Sequence, residues 1–178
     1  MYSVFPVEAK SILAQVIEGP NPLLCFEQKA LYRSIRHEVP TQYYTLALGK
    51  AAVLQQGYQV TIVTYGMGVH WALKTLESDT SIKADLIDLR TLSPLDTETI
   101  YASVKKTGKV IILQEDSMFG GIASDISALI SEHCFEDLDA PIKRVAGLET
   151  PIPFAADLER EYLANDRFDA ALKELIAY

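Results

Sequence analysis

Gly66 and Gly68 stand two residues apart in TIVTYGMGVHWA (residues 61–72), between an apolar run and a helical pattern. A strand, a Gly-x-Gly turn and a helix start are how a phosphate-cradling dinucleotide loop begins, with an acid some 20 residues later to hold ribose hydroxyls. Asp88, closing the next apolar run, has that spacing. The third glycine of the fingerprint, which lets helix and strand approach closely, is replaced by Trp71. The competing reading is that Gly66 and Gly68 only permit a tight turn whose free amides bond locally or to water. Glu115 and Asp116 follow the aliphatic run Val110–Leu113 at what would be the carboxyl edge of a sheet, where such folds place their sites. The bland role for this pair is solvation and capping of the following helix. His37, His70 and His133 are scattered. Ser117, Ser124 and Ser127 lack a Gly-x-Ser-x-Gly elbow. No residues form a complete catalytic constellation, and no catalytic, cofactor-binding or metal-ligating residue is assigned.

The elements that would position these groups alternate. The runs Val60–Tyr65, Asp85–Leu89, Val110–Leu113 and Ile142–Ala146 read as strands, and Lys50–Leu54 as an edge strand before them. Helical spacing separates them, through Val69, Ala72 and Leu76, then Ile100 and Val104, then Ile122, Ile126 and Ile130. Phe168, Leu172 and Leu175 close the chain at the same spacing. Ser93-Pro94-Leu95-Asp96 supplies a turn and a helix N-cap, and Lys105, Lys106 and Gly108 a helix end. Strands alternating with helices imply a parallel sheet, because each crossover must cover a face. The fold class is therefore α/β, three-layer α/β/α on a mostly parallel five-stranded sheet, over residues 41–178. Residues 1–40 fit less well. A helical pattern through Val7, Ile12, Leu13 and Val16 and a short apolar strand, Leu23–Phe26, look like the last elements of a preceding domain followed by a linker. A decoration of the same sheet fits the pattern equally.

Composition bounds the partners. The 178 residues are 49% hydrophobic with a net charge of −8, which suits a compact domain and argues against nonspecific nucleic-acid binding. No apolar run approaches the ~20 residues of a membrane span. The N-terminus has no signal-peptide pattern. Two cysteines, Cys25 and Cys134, define neither a disulfide framework nor a zinc spacing and suit a reducing compartment.

Longer motifs add to this. FEQKALYRS (26–34), VTIVTYG (60–66), DLRTLSPLD (88–96), ILQEDSMFGGIASDISALI (112–130), APIKRVAGLETPIPFA (140–155) and LEREYLANDRF (158–168) occur in this order. Together they resemble the beta subunit of the decarboxylating component of 2-oxo acid dehydrogenase complexes, pyruvate or branched-chain type. More broadly they are similar to the C-terminal domain of transketolase-like, thiamine-diphosphate-dependent enzymes. The resemblance implies that residues 1–40 are the end of a pyrimidine-binding domain plus a linker. It also implies that the activating glutamate and the thiamine diphosphate and Mg²⁺ sites lie outside these residues. At the matching positions, Gly66, Asp88, Pro94, Asp96, Gly120 and Gly121 read as turn, cap and interface residues. Arg90 is the candidate interface residue, bridging acids across a domain boundary or pairing within its own domain. The implied role is assembly with an alpha subunit or alpha-like region and a second beta subunit, in the bacterial cytoplasm or the mitochondrial matrix. The small basic subunit-binding domain of the acyltransferase would dock on acids and the C-terminal carboxylate, here Glu136, Asp137, Asp139 and Tyr178. The exposed apolar arm further predicts a homo-oligomer. A free-standing nucleotide-binding module and a transketolase or synthase of the same superfamily are the alternative readings.

Overall fold

A computed structural model describes residues 1–178. Its centre is a five-stranded sheet in the order β3-β5-β4-β6-β7, formed by Ala52–Gln55, Ala84–Asp88, Val60–Thr64, Val110–Ser117 and Lys143–Gly147. β3 runs antiparallel at one edge and the other pairings are parallel. The helices are α3 (Met67–Ser78), α4 (Thr97–Thr107), α5 (Ile122–Cys134), α6 (Ala156–Tyr162) and α7 (Asn165–Ala177). The arm before them carries β1 (Tyr2–Ser3), α1 (Pro6–Glu18), β2 (Phe26–Glu27) and the single turn α2 (Leu31–Ser34).

The strands in the middle are apolar throughout because both faces are covered. Side chains alternate across the sheet, so Val60, Ile62, Leu86, Ile111 and Leu113 meet α3 and α7 on one face. Val63, Ile87, Val110 and Ile112 meet α4 and α5 on the other. Phe168 and Leu172 of α7 are fully buried in the first layer, Ile126 and Ile130 of α5 in the second. Trp71 packs half-buried against the first layer, which is why no glycine is required at its position. α4 begins as its sequence indicates, with Asp96 accepting from the Thr99 amide, and ends at Gly108 in the left-handed conformation.

Three expectations are corrected. The strand at Leu23–Phe26 is only Phe26–Glu27, paired in parallel with Tyr2–Ser3 as a separate two-stranded sheet. The strand at Val110–Leu113 continues to Ser117, so Glu115 and Asp116 lie within it. Neither caps the next helix. Fully buried Gln114 does that work, its Nε2 donating to the Ser117 carbonyl and its Oε1 accepting from the Ala123 amide. Gly121 is glycine because a Cβ there would overlap the Gln114 amide.

One polar network is built into the second layer. Asp85, 2% exposed, accepts from the Gly57 amide at 2.7 Å, Ser103 at 2.6 Å and Lys106 at 2.6 Å. Thr61 joins it through Ser103 and Thr107. Burial works against the Asp85 charge, but the hydrogen bonds from Lys106, Ser103 and Gly57 outweigh it and hold the carboxyl below its usual range. A depressed folded pKa adds stability that is present above the unfolded value and lost on acidification. Asp85→Ala is expected to lower the unfolding free energy by about 2–4 kcal/mol at neutral pH, since it strands three donors around a charged acceptor's place. In urea titrations the gap to wild type should close as pH falls below about 3.9, the ordinary aspartate value. A gap that is constant with pH would show that the charge of Asp85 is not what stabilises the fold.

Candidate functional site

β4 and β6 are neighbours, yet the chain leaves β4 into α3 on one face and β6 into α5 on the other. This divergence opens a crevice at their carboxyl ends, the place where open α/β sheets hold ligands. Gly66 forms its floor, at φ +57°, as the N-cap of α3. A Cβ on Gly68 would collide with Thr64 Oγ1 and press on Leu113, so the second glycine serves helix–strand packing. The ring of Tyr2 lies 3.4 Å from where a Gly66 Cβ would stand and so covers the turn. Glu115, Asp116 and Glu159 line the same crevice.

These residues do not fit a phosphate or diphosphate. The turn lies beside carboxylates, and no Lys, Arg or His lines the crevice. Asp88, the would-be ribose ligand, is fully buried. No group of three or more His, Cys, Asp and Glu side chains in the chain is arranged to hold a metal ion. His70 donates from Nε2 to the Val4 carbonyl and packs edge-on against Phe5. His37 stacks on Phe5 and His133 lies against Tyr101. Ser124 accepts from Arg144, while Ser117 donates to the Phe119 carbonyl. Cys134 is buried in the second layer and Cys25 is exposed.

A second constellation joins the arm to the sheet. Arg90, just past β5, has φ +55°, a conformation few residues other than glycine adopt. Its Nε donates to Glu8 Oε1 of α1 at 2.7 Å, its carbonyl accepts from the Tyr2 amide at 2.8 Å, and its amide donates to Asp88 Oδ1 at 3.0 Å. Glu8 is 3% exposed and its other oxygen caps the Val4 and Phe5 amides. Arg90 therefore bridges to an acid 82 residues earlier in the chain. Around this node Tyr2 packs on Tyr65 and Phe26, and Gln28 donates to Glu115. The partners Glu8 and Tyr2 carried no motif, and Gln28, within the stretch FEQKALYRS, carried no sign of its contact with Glu115.

The acids after α5 stand at the opposite end of the sheet. Glu136 and Asp137 lie on a 3₁₀ turn, Phe135–Asp137, and Glu136 and Asp139 are exposed. The Asp139 amide donates to the Gly108 carbonyl at 2.7 Å, and Lys109 Nζ next to it donates to the Ile176 carbonyl at 3.0 Å. Asp139 and Ile176 thus both meet residues 108–109, and Tyr178, two residues beyond Ile176, is exposed. A shallow apolar groove with Phe135, Leu138 and Pro141 on its walls adjoins the acids.

Asp88 gives the junction a pH dependence. Burial, then the negative charge of Glu8, push its carboxyl up to about 7, against the pull of the Arg90 amide and guanidinium. A raised folded pKa costs stability progressively as pH climbs from the unfolded value to the folded one. Asp88→Asn is expected to be more stable than wild type above pH 7, by at least about 1 kcal/mol, with the advantage fading toward pH 4. Thermal melts across this range check it; an advantage that grows on acidification would reverse the assignment.

The comparisons with known proteins agree with the fold. The model of the family "Transketolase, C-terminal domain" matches residues 49–167, from just before β3 into α7. The 2-oxoisovalerate dehydrogenase subunit beta of Bacillus subtilis (strain 168) is 45% identical over 178 residues, 97% of this chain and 54% of the relative. The pyruvate dehydrogenase E1 component subunit beta of the same organism is 44% identical over 91% of this chain and 50% of its own length. A solved structure described as a split-gene transketolase in an inactive β4 tetramer superposes with a TM-score of 0.76 at 25% identity, over 99% of this chain and 56% of that one. The chain spans about half the length of the curated relatives it matches, and it belongs to the transketolase C-terminal domain family.

Proposed function

We propose that this chain is the C-terminal assembly domain of the beta subunit of a thiamine-diphosphate-dependent 2-oxo acid dehydrogenase, of the pyruvate or branched-chain type. The observation that carries the reading is the 45% identity to a 2-oxoisovalerate dehydrogenase subunit beta over nearly the whole chain. Residues 41–178 form the assembly domain, and residues 1–40 are the end of a pyrimidine-binding domain with its linker. The separate β1–β2 sheet supports that division, since it stands apart from the five-stranded sheet. Arg90 is the residue that holds the two parts in register through Glu8.

The parent enzyme decarboxylates a 2-oxo acid and passes the acyl group to a lipoyl arm. Thiamine diphosphate and Mg²⁺ supply that chemistry elsewhere, and no step is assigned to a residue of this chain. Its role is to bring the alpha subunit or alpha-like region and a second beta subunit together. Exposed apolar side chains support self-association. Leu13 and Leu24 of the arm are among them, and Ile12, expected there, is buried in the fold. Ile152, Phe154 and Leu158, beyond β7, form a further exposed apolar set. No helix of the chain is long and apolar enough to cross a membrane, which is compatible with work in the bacterial cytoplasm or the mitochondrial matrix.

Glu136, Asp137, Asp139 and the Tyr178 carboxylate form the docking face for the basic subunit-binding domain of the acyltransferase. The adjoining apolar groove gives that face an apolar centre and an acidic rim, the usual anatomy of a binding patch. Rim charges mainly raise the association rate, whereas a desolvated pair broken on one side costs about 2–5 kcal/mol. Calorimetry with the isolated subunit-binding domain is expected to show binding that weakens with salt, as the screening length contracts to about 8 Å at 0.15 M. Asp139→Lys and a short extension beyond Tyr178 should each impair it. Binding untouched by both changes would place the docking face elsewhere. No binding to the folded chain would remove the docking role.

A further inference from the structure

Few polar links tie the arm to the sheet, and two of them gather beside a buried acid. The Tyr2 amide and the Glu8 carboxylate both end on Arg90, the Val4 carbonyl on His70 and the Gln28 amide on Glu115. Arg90 follows Asp88 by two residues, and Asp88 is wholly enclosed. Its two oxygens differ. Oδ1 accepts from the Arg90 amide, whereas Oδ2 is buried with no partner in the protein. The hydroxyl of Thr64, the register neighbour of Asp88 on β4, is unpaired as well. Such an enclosure suits the neutral acid better than the carboxylate, whose bare oxygen would hold charge away from water.

The surrounding charges point the same way. Glu8 is the second buried carboxyl at the junction, and its Oε1 already holds the Arg90 guanidinium. One guanidinium thus faces two carboxyls, and ionised Asp88 leaves the node with an uncompensated negative charge. His70 on α3 and His37 across the Phe5 ring are the other titratable groups there. Burial lowers the His70 imidazole, against the pull of the Val4 carbonyl and Glu8. Lifting the arm would take Glu8 away from Asp88 and admit water to the free oxygen. The arm resists this weakly. α1 buries only Glu8, Ser11 and Ile12, and the Ser11 hydroxyl has no partner. Lys10 and Val7 of α1 bond to the connecting segment, through the Gln42 carbonyl and the Tyr44 hydroxyl, so α1 and that segment can move together.

We propose that residues 1–44 are a proton-operated latch on the sheet domain, closed over Asp88 while it is protonated and opening as a unit, with the sheet intact, once Asp88 ionises beside Glu8. The inference rests on the geometry of the junction and not on the assembly role of the domain. Opening uncovers Tyr65 and the Gly66 turn, against which Tyr2 lies in the closed form. The sign follows from the Asp88 carboxyl, raised to about 7 by burial and then by Glu8. With the arm lifted it returns toward the ordinary aspartate value of about 3.9. The closed form is therefore fully favoured below that value and loses stability as pH rises, until the closed-state value is passed.

Hydrogen exchange resolved by residue, on the full 178-residue chain between pH 5 and 8 and corrected for intrinsic rates, tests this. Amides of Tyr2 and α1 are expected to be far less protected than those of β4 and β6. Their protection in Asp88→Asn, divided by that in wild type, should rise about tenfold per pH unit from 5 to 7 and level off above. The ratio cancels the titrations of His70 and Glu115, which both chains share. Should Asp88→Asn not fold, His70→Gln keeps a donor for the Val4 carbonyl and removes the opposing titration. Arm protection in that chain should then fall with rising pH on its own. Arm amides protected as strongly as those of β4 and β6 at every pH would overturn the proposal, since the arm would open only with the whole fold. So would a protection ratio, or in His70→Gln an arm protection, that is flat with pH.

Discussion

Arg90 binds in three directions at once. Its guanidinium takes Glu8, its carbonyl takes the Tyr2 amide, and its own amide takes Asp88, all from a left-handed backbone conformation. The position of the arm follows from this node. With Tyr2 fixed, its ring covers the Gly66 turn and walls the crevice, and Phe26 can stack upon it at 5.0 Å. With Glu8 fixed, its carboxylate takes the Val4 and Phe5 amides just before α1, and the Val4 carbonyl reaches His70. A buried ion pair of this kind contributes less to net stability than its length suggests, because both groups lose water. It fixes instead where the arm sits. Removing either partner would leave a buried charge, so the junction tolerates its present geometry and few others.

The junction stands on a sheet that offers it a rigid edge. Because β4, β5 and β6 are covered on both faces, Thr64, Asp88 and Gln114 are fully buried toward their carboxyl ends. The same two-sided burial creates the crevice, since helices leaving adjacent strands on opposite faces must part. In a nucleotide-binding relative of this topology the gap would take a phosphate. Here tyrosines and carboxylates occupy it, and the adjacent glycines serve a tight turn and a close helix–strand contact.

Most of the layered architecture could be read from the sequence because it rests on local periodicity. Continuous aliphatic stretches such as Val110–Leu113 mark strands buried on both faces, and Asp96 and Gly108 mark the ends of α4 by their own backbone chemistry. β1, α2 and α6 escaped, and β2 was expected too early, at Leu23–Phe26 instead of Phe26–Glu27, for a physical reason. β1 and β2 are two residues each and exist only through mutual pairing, which no local pattern announces. α6 carries its acids and few apolar residues on an exposed turn, and its one buried residue, Tyr162, matters through Gly147 and the crevice. Gln114, just past the expected strand, carries no local sign that its amide ties Ser117 to the start of α5. Residues at the site were visible singly, as Gly66, Arg90 and Glu115. Their partners Glu8, Tyr2 and Gln28 lie 82 to 88 residues away in the chain and only the fold brings them together.

The account turns on whether Glu8 and Arg90 act as a unit. A double-mutant cycle with Glu8→Gln, Arg90→Gln and the pair, measured by urea unfolding, isolates that coupling from the other contacts of each residue. A coupling energy of at least about 1.5 kcal/mol, with the double variant less destabilised than the sum of the singles, is the predicted result. Additivity to within about 0.5 kcal/mol would contradict it, because the arm would then be held by its aromatic contacts and the hydrogen bonds of Tyr2, Val4 and Gln28.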